Sequence, residues 1–330
     1  MNFNPQDLIF QSQEKFTKKA LLTFQFQYAF NEVYKRFVDV LNCDVTSVNT
    51  IEEIPFLPVS FFKTQAVVTT TFAPSMVFTS SGTTNSHTSR HLVKNVQLYE
   101  ESFIRGFELF YGAINEYCIL GLLPSYLERE GSSLVYMVEK MMTISRHEHN
   151  GFHLFDFRQL ADKLRYLEDA GQKTLLIGVS YALLDFAKAH PMHLKNVVVM
   201  ETGGMKGRKR EIVRKEVHQL LRSAFKIEGV DSEYGMTELL SQAYSKAEGI
   251  FISPPWMKVL IRHEDDPLKI IAYPQKPLVG GLNIIDLANI YSCSFIATDD
   301  IGKLFPDGSF EVLGRLDNSD IRGCSLMFDQ

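Results

Sequence analysis

"KTLLIGVSYALLDFAKAHPMHLKNVVVMETGG", residues 173–204, decides the fold. It opens on an apolar run, Lys173–Ser180, and closes on another, Lys195–Glu201, followed by Thr202-Gly203-Gly204. Between them "YALLDFAKAH" (181–190) spaces its apolar residues as one face of a helix does. Two strands joined by a helical crossover lie parallel. Strands that are apolar throughout, rather than alternating, are covered on both faces of their sheet.

The same rhythm extends outward. Before the stretch come the strand "YCILGLLP" (117–124), the helix "SSLVYMVEKMMTIS" (132–145) with Ser132 as cap, and "DFRQLADKLRYLEDAG" (156–171), an amphipathic helix stopped by Gly171. Helical spacing also runs through residues 94–112. After it come "GRKREIVRKEVHQLLRSAF" (207–225), a long basic helix, and the strand "KIEGVDSEYG" (226–235). This predicts an α/β fold with a mostly parallel sheet. The loops "LLPSYLE", "ETGGMKG" and "SEYGMTE" then share the edge at the strand C-termini, where such sheets bind ligands. Residues 1–50 read as helical. Pro55 and Pro58 in "EEIPFLPVSFFKT" (52–64) force extended backbone. Residues 250–330 read as β-rich and end in a short cysteine-bearing tail. With no repeat or long linker, residues 1–330 are expected to form a single domain.

Bulk properties remove several classes. A 330-residue chain that is 45% hydrophobic has material for a large core. A net charge of −5 gives no general attraction to nucleic acid or anionic membrane. Cys43, Cys118, Cys293 and Cys324 show no metal-ligand spacing, and no secretory signal precedes them, so they read as free thiols of a reducing compartment. No stretch approaches the roughly 18 apolar residues of a membrane span. The expectation is a cytoplasmic protein with no nucleic-acid partner.

Four polar segments carry the chemistry. "SMVFTSSGTT" (75–84) feeds a strand into Ser80, Ser81, Gly82, Thr83 and Thr84, whose hydroxyls and N–H groups suit phosphate oxygens, although alone such a run is more often an ordinary turn. "SEYGMTE" (232–238) offers Tyr234 for a base, Thr237 for phosphate and Glu238 for a hard cation such as Mg2+; alternatively Thr237 or Ser232 caps a following helix. "FIATDDIGKL" (295–304) offers an Asp for ribose hydroxyls, or an Asp-Asp turn. "LGRLDNSDIRGCS" (313–325) pairs Gly314-Arg315 and Asp317 with Cys324. His147, His149 and His153 read as a polar loop rather than a metal cage. His87 and His91, flanking Arg90, can assist phosphate contacts, or simply begin a solvated helix. The basic run "KGRKR" (206–210) reads as a solvated helix start.

Taken in order, the hydroxyl-Gly loop, Y-G-x-T-E, T-x-D and G-R-x-D resemble the adenylate-forming superfamily of acyl-CoA synthetases, luciferase-like enzymes and peptide-synthetase adenylation domains. The likeness covers residues 50–325. The phosphate loop departs from the pattern, with Asn85, His87 and Thr88 where relatives carry glycine, proline and lysine. "IPFLPVSFFKT" (54–64), "SSGTT", "LPSYLEREGSSLVYM" (123–137) and the terminal "DIRGCS" are most similar to LuxE-type acyl-protein synthetases.

That resemblance implies an ATP- and Mg2+-dependent enzyme. It would activate a fatty or related carboxylic acid as acyl-AMP, pass the acyl group to Cys324, and hand it to an acyl-CoA-reductase-like partner. It implies nucleotide contacts from Ser80, Ser81, Gly82, Thr83, Thr84, Gly203, Gly204, Tyr234, Gly235, Thr237, Asp300 and Arg315, with Glu238 as Mg2+ ligand. The mobile lysine-bearing domain that follows G-R-x-D in ordinary acyl-CoA synthetases has no counterpart in the 13 residues after Asp317. Two other readings remain open. One is a CoA ligase resembling phenylacetate-CoA ligase, completed by another chain. The other is a catalytically silent nucleotide-binding subunit that docks a reductase.

Overall fold

The computed structural model describes residues 7–80, 88–123, 131–154, 156–203, 213–263 and 266–315. The chain divides into two compact units, one built from residues 1–70 and 255–330 and the other from residues 71–254. In chain order the helices are α1 (Phe16–Phe30), α2 (Glu32–Val40), α3 (Phe61–Thr64), α4 (Val96–Tyr111), α5 (Ser133–Ser145), α6 (Phe157–Asp169), α7 (Ser180–Ala189) and α8 (Arg214–Phe225). The strands are β1 (Leu57–Pro58), β2 (Met76–Thr79), β3 (Arg90–Val93), β4 (Cys118–Leu122), β5 (Gly151–Phe152), β6 (Thr174–Val179), β7 (Val197–Thr202), β8 (Asp231–Tyr234), β9 (Ala243–Ser245), β10 (Ile250–Phe251), β11 (Met257–Arg262), β12 (Ile270–Ile271), β13 (Leu278–Asp286), β14 (Phe295–Leu304) and β15 (Phe310–Arg315).

The middle unit carries the sheet that the 173–204 stretch predicts. Its order is β5-β4-β6-β7-β8-β9, parallel from β5 through β8, with β9 antiparallel to β8. Strand alternation sorts the two faces. Cys118, Leu120 and Leu122 of β4 join Leu160 and Leu164 of α6, Leu183 and Phe186 of α7, and Leu221 and Phe225 of α8 in one core. Gly121, between them, points the other way, toward Met142 of α5 and Phe152. Ser132 caps α5 by accepting from the Val135 amide. Gly171 takes a left-handed φ of 67° just past α6. The basic helix is shorter than its sequence suggests within the described residues, beginning at Arg214; "KGRKR" lies outside them.

The unit made from the two ends has a largely antiparallel sheet, with β15, β14, β13, β11 and β12 paired in that order and β1 parallel to β14 through Leu57 and Ile296. Pro58 is tolerated in the two-residue strand β1. The α1 helix is fixed here by buried amides. Gln27 Nε2 donates to the carbonyls of Asn289 and Ile290, and its Oε1 accepts from the Ser294 amide. Asn31 Nδ2 donates to the Ser292 carbonyl. Phe295 is the centre of an aromatic cluster, with ring centroids 5.9 Å from Tyr34, 6.1 Å from Phe24 and 6.2 Å from Phe56. Phe295→Ala removes a fully buried ring and is expected to cost about 3–5 kcal/mol, measurable by urea unfolding.

Among the described residues no helix is long and apolar enough to cross a membrane.

Candidate active site

Parallel pairing aligns the C-terminal ends of β4, β6, β7 and β8, so Leu122, Val179, Thr202 and Tyr234 share one edge of the sheet. Gly203 follows β7 with a φ of 68°, in the left-handed region that favours glycine. Its carbonyl accepts from the Ser180 hydroxyl at 2.8 Å. Tyr234 ends β8, buried, its ring 5.8 Å from Phe251. Gly235 is exposed, and a Cβ there would meet the Glu233 carboxyl at 2.5 Å. Residues 237–238 form a turn closed by the Leu239 amide on the Met236 carbonyl, so Thr237 and Ser232 cap no helix. Thr237 is half-buried and Glu238 buried.

The hydroxyl-rich loop hangs from the β2–β3 hairpin, in which Thr79 faces Arg90. Ser80 holds its base: the Ser80 amide donates to the Ser89 carbonyl and the Ser80 hydroxyl accepts from the Ser89 amide at 3.0 Å. Ser81, Gly82, Thr83 and Thr84 lie outside the described residues, as do Gly204, Asp317 and Cys324.

His91 links this hairpin to the Tyr234–Glu238 turn. It is 1% exposed, and its Nδ1 lies 2.9 Å from the Thr237 carbonyl. A carbonyl only accepts, so Nδ1 carries the proton. Burial lowers the imidazole pKa to about 4, against the Thr237 bond, so the ring is neutral at pH 7. The sequence offered His91 as a phosphate helper; among the described residues it holds the backbone of the neighbouring turn.

Two buried carboxylates, Glu201 and Glu233, stand at these strand ends. Burial works to raise the pKa of Glu201, but His218, Arg214, Ser232 and Ser180 outweigh it and hold the carboxyl below its usual range. Arg214 Nε lies 2.9 Å from Glu201 Oε1. His218 Nε2 faces both Glu201 Oε1 at 3.8 Å and Ser232 Oγ at 3.3 Å. A hydrolytic triad needs its acid and its serine on opposite ring nitrogens, so this is a buried polar anchor.

Glu233 lies beside Thr202, whose hydroxyl donates to it. Burial pushes its carboxyl up to about 7; the Thr202 bond opposes this and the Glu201 charge adds to it. The folded state therefore binds this proton more tightly than the unfolded one, and stability is lost as pH rises through about 7. Relative to Glu233→Gln, the wild type is expected to lose about 2–3 kcal/mol between pH 5 and pH 8.5. Thermal midpoints of the two proteins across that range test this, and a constant difference would refute it.

In the other unit, Asp300 and Arg315 face each other across β14 and β15, with Arg315 Nε donating to Asp300 Oδ1 at 3.2 Å. The Asp-Asp pair is no turn: it lies inside β14, at an irregularity where β13 advances two residues from Gly281 to Asn283 while β14 spans Ala297 to Ile301. Thr298-Asp299-Asp300 therefore bulge from the ladder. The Asp300 amide donates to Thr298 Oγ1, whose own hydroxyl donates to the Leu282 carbonyl.

Mg2+ is commonly bound through one or two carboxylates plus substrate phosphates; Glu238, 7% exposed, is the carboxylate the sequence offers for it. Among the described residues no three His, Cys, Asp or Glu side chains gather into a metal cage. His147 and His149 have ring centroids 5.7 Å apart, and His153 is buried separately.

Solved structures with this fold define its class. An open conformation of 2-hydroxyisobutyryl-CoA ligase, in complex with 2-HIB-AMP and CoA, superposes with a TM-score of 0.61 at 10% identity, covering 92% of this chain and 70% of that one. ATP-bound MatB from Rhodopseudomonas palustris gives 0.55 at 14% identity over 74% of this chain, which spans about half (49%) of the MatB chain. MenE from Bacillus subtilis, in complex with AMP, gives 0.51 at 16% identity, covering 75% of this chain and 50% of that one. The fold is that of the adenylate-forming enzymes. Within that class the acyl-protein synthetase family LuxE matches residues 1–330, and the chain belongs to it. The long-chain-fatty-acid–luciferin-component ligase of Aliivibrio fischeri is 25% identical over 353 residues, covering 98% of this chain and 90% of that protein. The chain is thus an enzyme, a ligase of the acyl-protein synthetase type.

Proposed function

We propose that this enzyme activates a fatty or related carboxylic acid with ATP and carries the acyl group on Cys324 before passing it to a partner reductase. The acid's carboxylate attacks the α-phosphorus of ATP, pyrophosphate leaves, and a mixed acyl-AMP anhydride results. The Cys324 thiolate then attacks the acyl carbonyl, a C–S bond forms, and AMP leaves with the C–O bond's electrons. The observation that carries the nucleotide half is the Asp300–Arg315 pair, held in register by β14 and β15: a carboxylate that accepts from ribose hydroxyls beside a guanidinium that steadies it. Thr237 and the loop from Ser80 to Thr84 supply phosphate donors, and Glu238 would hold Mg2+, which offsets charge on the phosphates.

The described cysteines support Cys324 as acyl carrier. Burial pushes the thiols of Cys118 and Cys293 up to about 12, the first against the pull of Lys163 and the second against a Phe295 backbone bond. Burial, then Asp44 and Glu53, raises the thiol of Cys43. A thiol that stays protonated is a poor nucleophile.

The test is incubation with ATP, Mg2+ and a panel of acids, with and without CoA, followed by intact-mass measurement and peptide mapping. An acyl adduct on the Cys324 peptide is expected. A CoA thioester without a protein adduct would replace this reading with a CoA ligase. Neither product, with no pyrophosphate released, would leave a silent subunit.

A further inference from the structure

We propose that Arg262 is a positioning residue for Asp300, holding the Thr298–Asp300 bulge in the shape that presents the carboxylate to a nucleotide ribose. This rests on the ribose role given to Asp300 above.

A bulge leaves ladder groups without strand partners, and buried groups of that kind must be satisfied another way. Here β14 carries the extra residues, and the buried carbonyls of Leu282 and Thr298 are acceptors beside the bulge. Arg262, the last residue of β11, reaches across β13 to both. Its Nη1 donates to the Leu282 carbonyl at 3.0 Å and to Asn283 Oδ1 at 2.8 Å, and its Nη2 donates to the Thr298 carbonyl at 2.6 Å. Thr298 in turn receives the Asp300 amide on its hydroxyl at 3.1 Å. The guanidinium thus fixes the first residue of the bulge, and the bulge fixes the third.

The strand it crosses is shaped for it. Gly281 stands in the guanidinium's path: a Cβ there would lie 2.5 Å from both Arg262 Cζ and Nε. Burial lowers the pKa of Arg262, while Asp299 and Asp300 raise it, so both carboxylates lie within its electrostatic reach. A lysine has the length but not the fork. Its single ammonium cannot serve diverging acceptors on Leu282, Asn283 and Thr298.

Arg262→Lys, Gly281→Ala and Asp300→Asn are each compared with the wild type, using ATP and 2′-deoxy- and 3′-deoxy-ATP. Acid-dependent ATP–pyrophosphate exchange and calorimetric nucleotide binding are the two readouts. The wild type is expected to prefer ATP over a deoxy analogue. Arg262→Lys and Gly281→Ala should raise KM for ATP about tenfold or more, leave KM for the acid unchanged, and bring the deoxy discrimination toward unity. Adding Arg262→Lys to Asp300→Asn should cost little more. A fold-supporting role alone would lower the melting temperature without changing the ribose preference. Retained discrimination in both Arg262→Lys and Gly281→Ala overturns the proposal. Wild-type binding that ignores the ribose hydroxyls overturns it together with the role of Asp300. Ribose-selective binding that Arg262→Lys abolishes, without exchange in the wild type, keeps the proposal and removes the proposed reaction.

Discussion

Cys324→Ala is expected to abolish the covalent acyl-protein while leaving acid-dependent ATP–pyrophosphate exchange at the wild-type rate. The two half-reactions use different groups. Exchange needs only the nucleotide contacts, the acid and Mg2+, and none of these involves the thiol. Transfer needs a nucleophile, and the thiols of Cys118 and Cys293 are held protonated by burial, with pKa values near 12. The measurement is hydroxylamine-labile label from a radioactive acid, run beside exchange on the same preparation. Label persisting on Cys324→Ala would remove Cys324 from the mechanism, whatever the exchange rate.

Glu238→Gln is expected to show the second large effect, a fall in exchange on the order of 10²-fold or more. The substitution keeps size and one accepting oxygen, and the turn is closed by the backbone bond from Leu239 to Met236, so it survives. It removes the charge that would hold Mg2+ against the phosphates. The loss should appear as a weaker apparent affinity for Mg2+ and ATP, with the affinity for the acid unchanged. If Glu238 were only a buried structural side chain, its replacement would lower the melting temperature and leave the Mg2+ dependence as in the wild type. That outcome would exclude it as the metal ligand.

The sheet of the middle unit was legible because its information is local. Apolar strands and amphipathic helices within 117–235 announce themselves by spacing, and parallel pairing follows from their alternation. The strand ends Leu122, Thr202 and Tyr234 were legible for the same reason, while residues 124–130 and 204–212 of the loops lie outside the described residues. The unit formed from the two ends was not, because Gln27 reaches Asn289 across 262 residues, and nothing near Gln27 signals that partner. The "TDD" segment was read as chemistry at the end of an extended run. Its place in a bulge depends on the facing strand, which periodicity within one segment cannot see. Arg262 was missed too, although a sign of it was present: Gly280-Gly281 inside a strand marks a close approach by another group. His91 was noticed for its neighbours, but a polar loop read by itself does not reveal that its histidine serves the carbonyl of Thr237, 146 residues away. Glu233 gave no warning, since a carboxylate at a strand end is ordinarily solvated.

The division of one unit between the two ends of the chain has a consequence during synthesis. The apolar faces of α1 and α2, including Phe24 and Tyr34, are covered by Phe295 and its neighbours. Phe295 is made 271 residues after Phe24. At about 5–20 residues per second, the 262 residues from Gln27 to Asn289 take about 13–50 s to translate. The middle unit, residues 71–254, is made within that interval, while the first helices hold an aromatic surface without its cover. Nascent chains of this enzyme therefore carry an uncovered aromatic surface on α1 and α2 until Phe295 has been made.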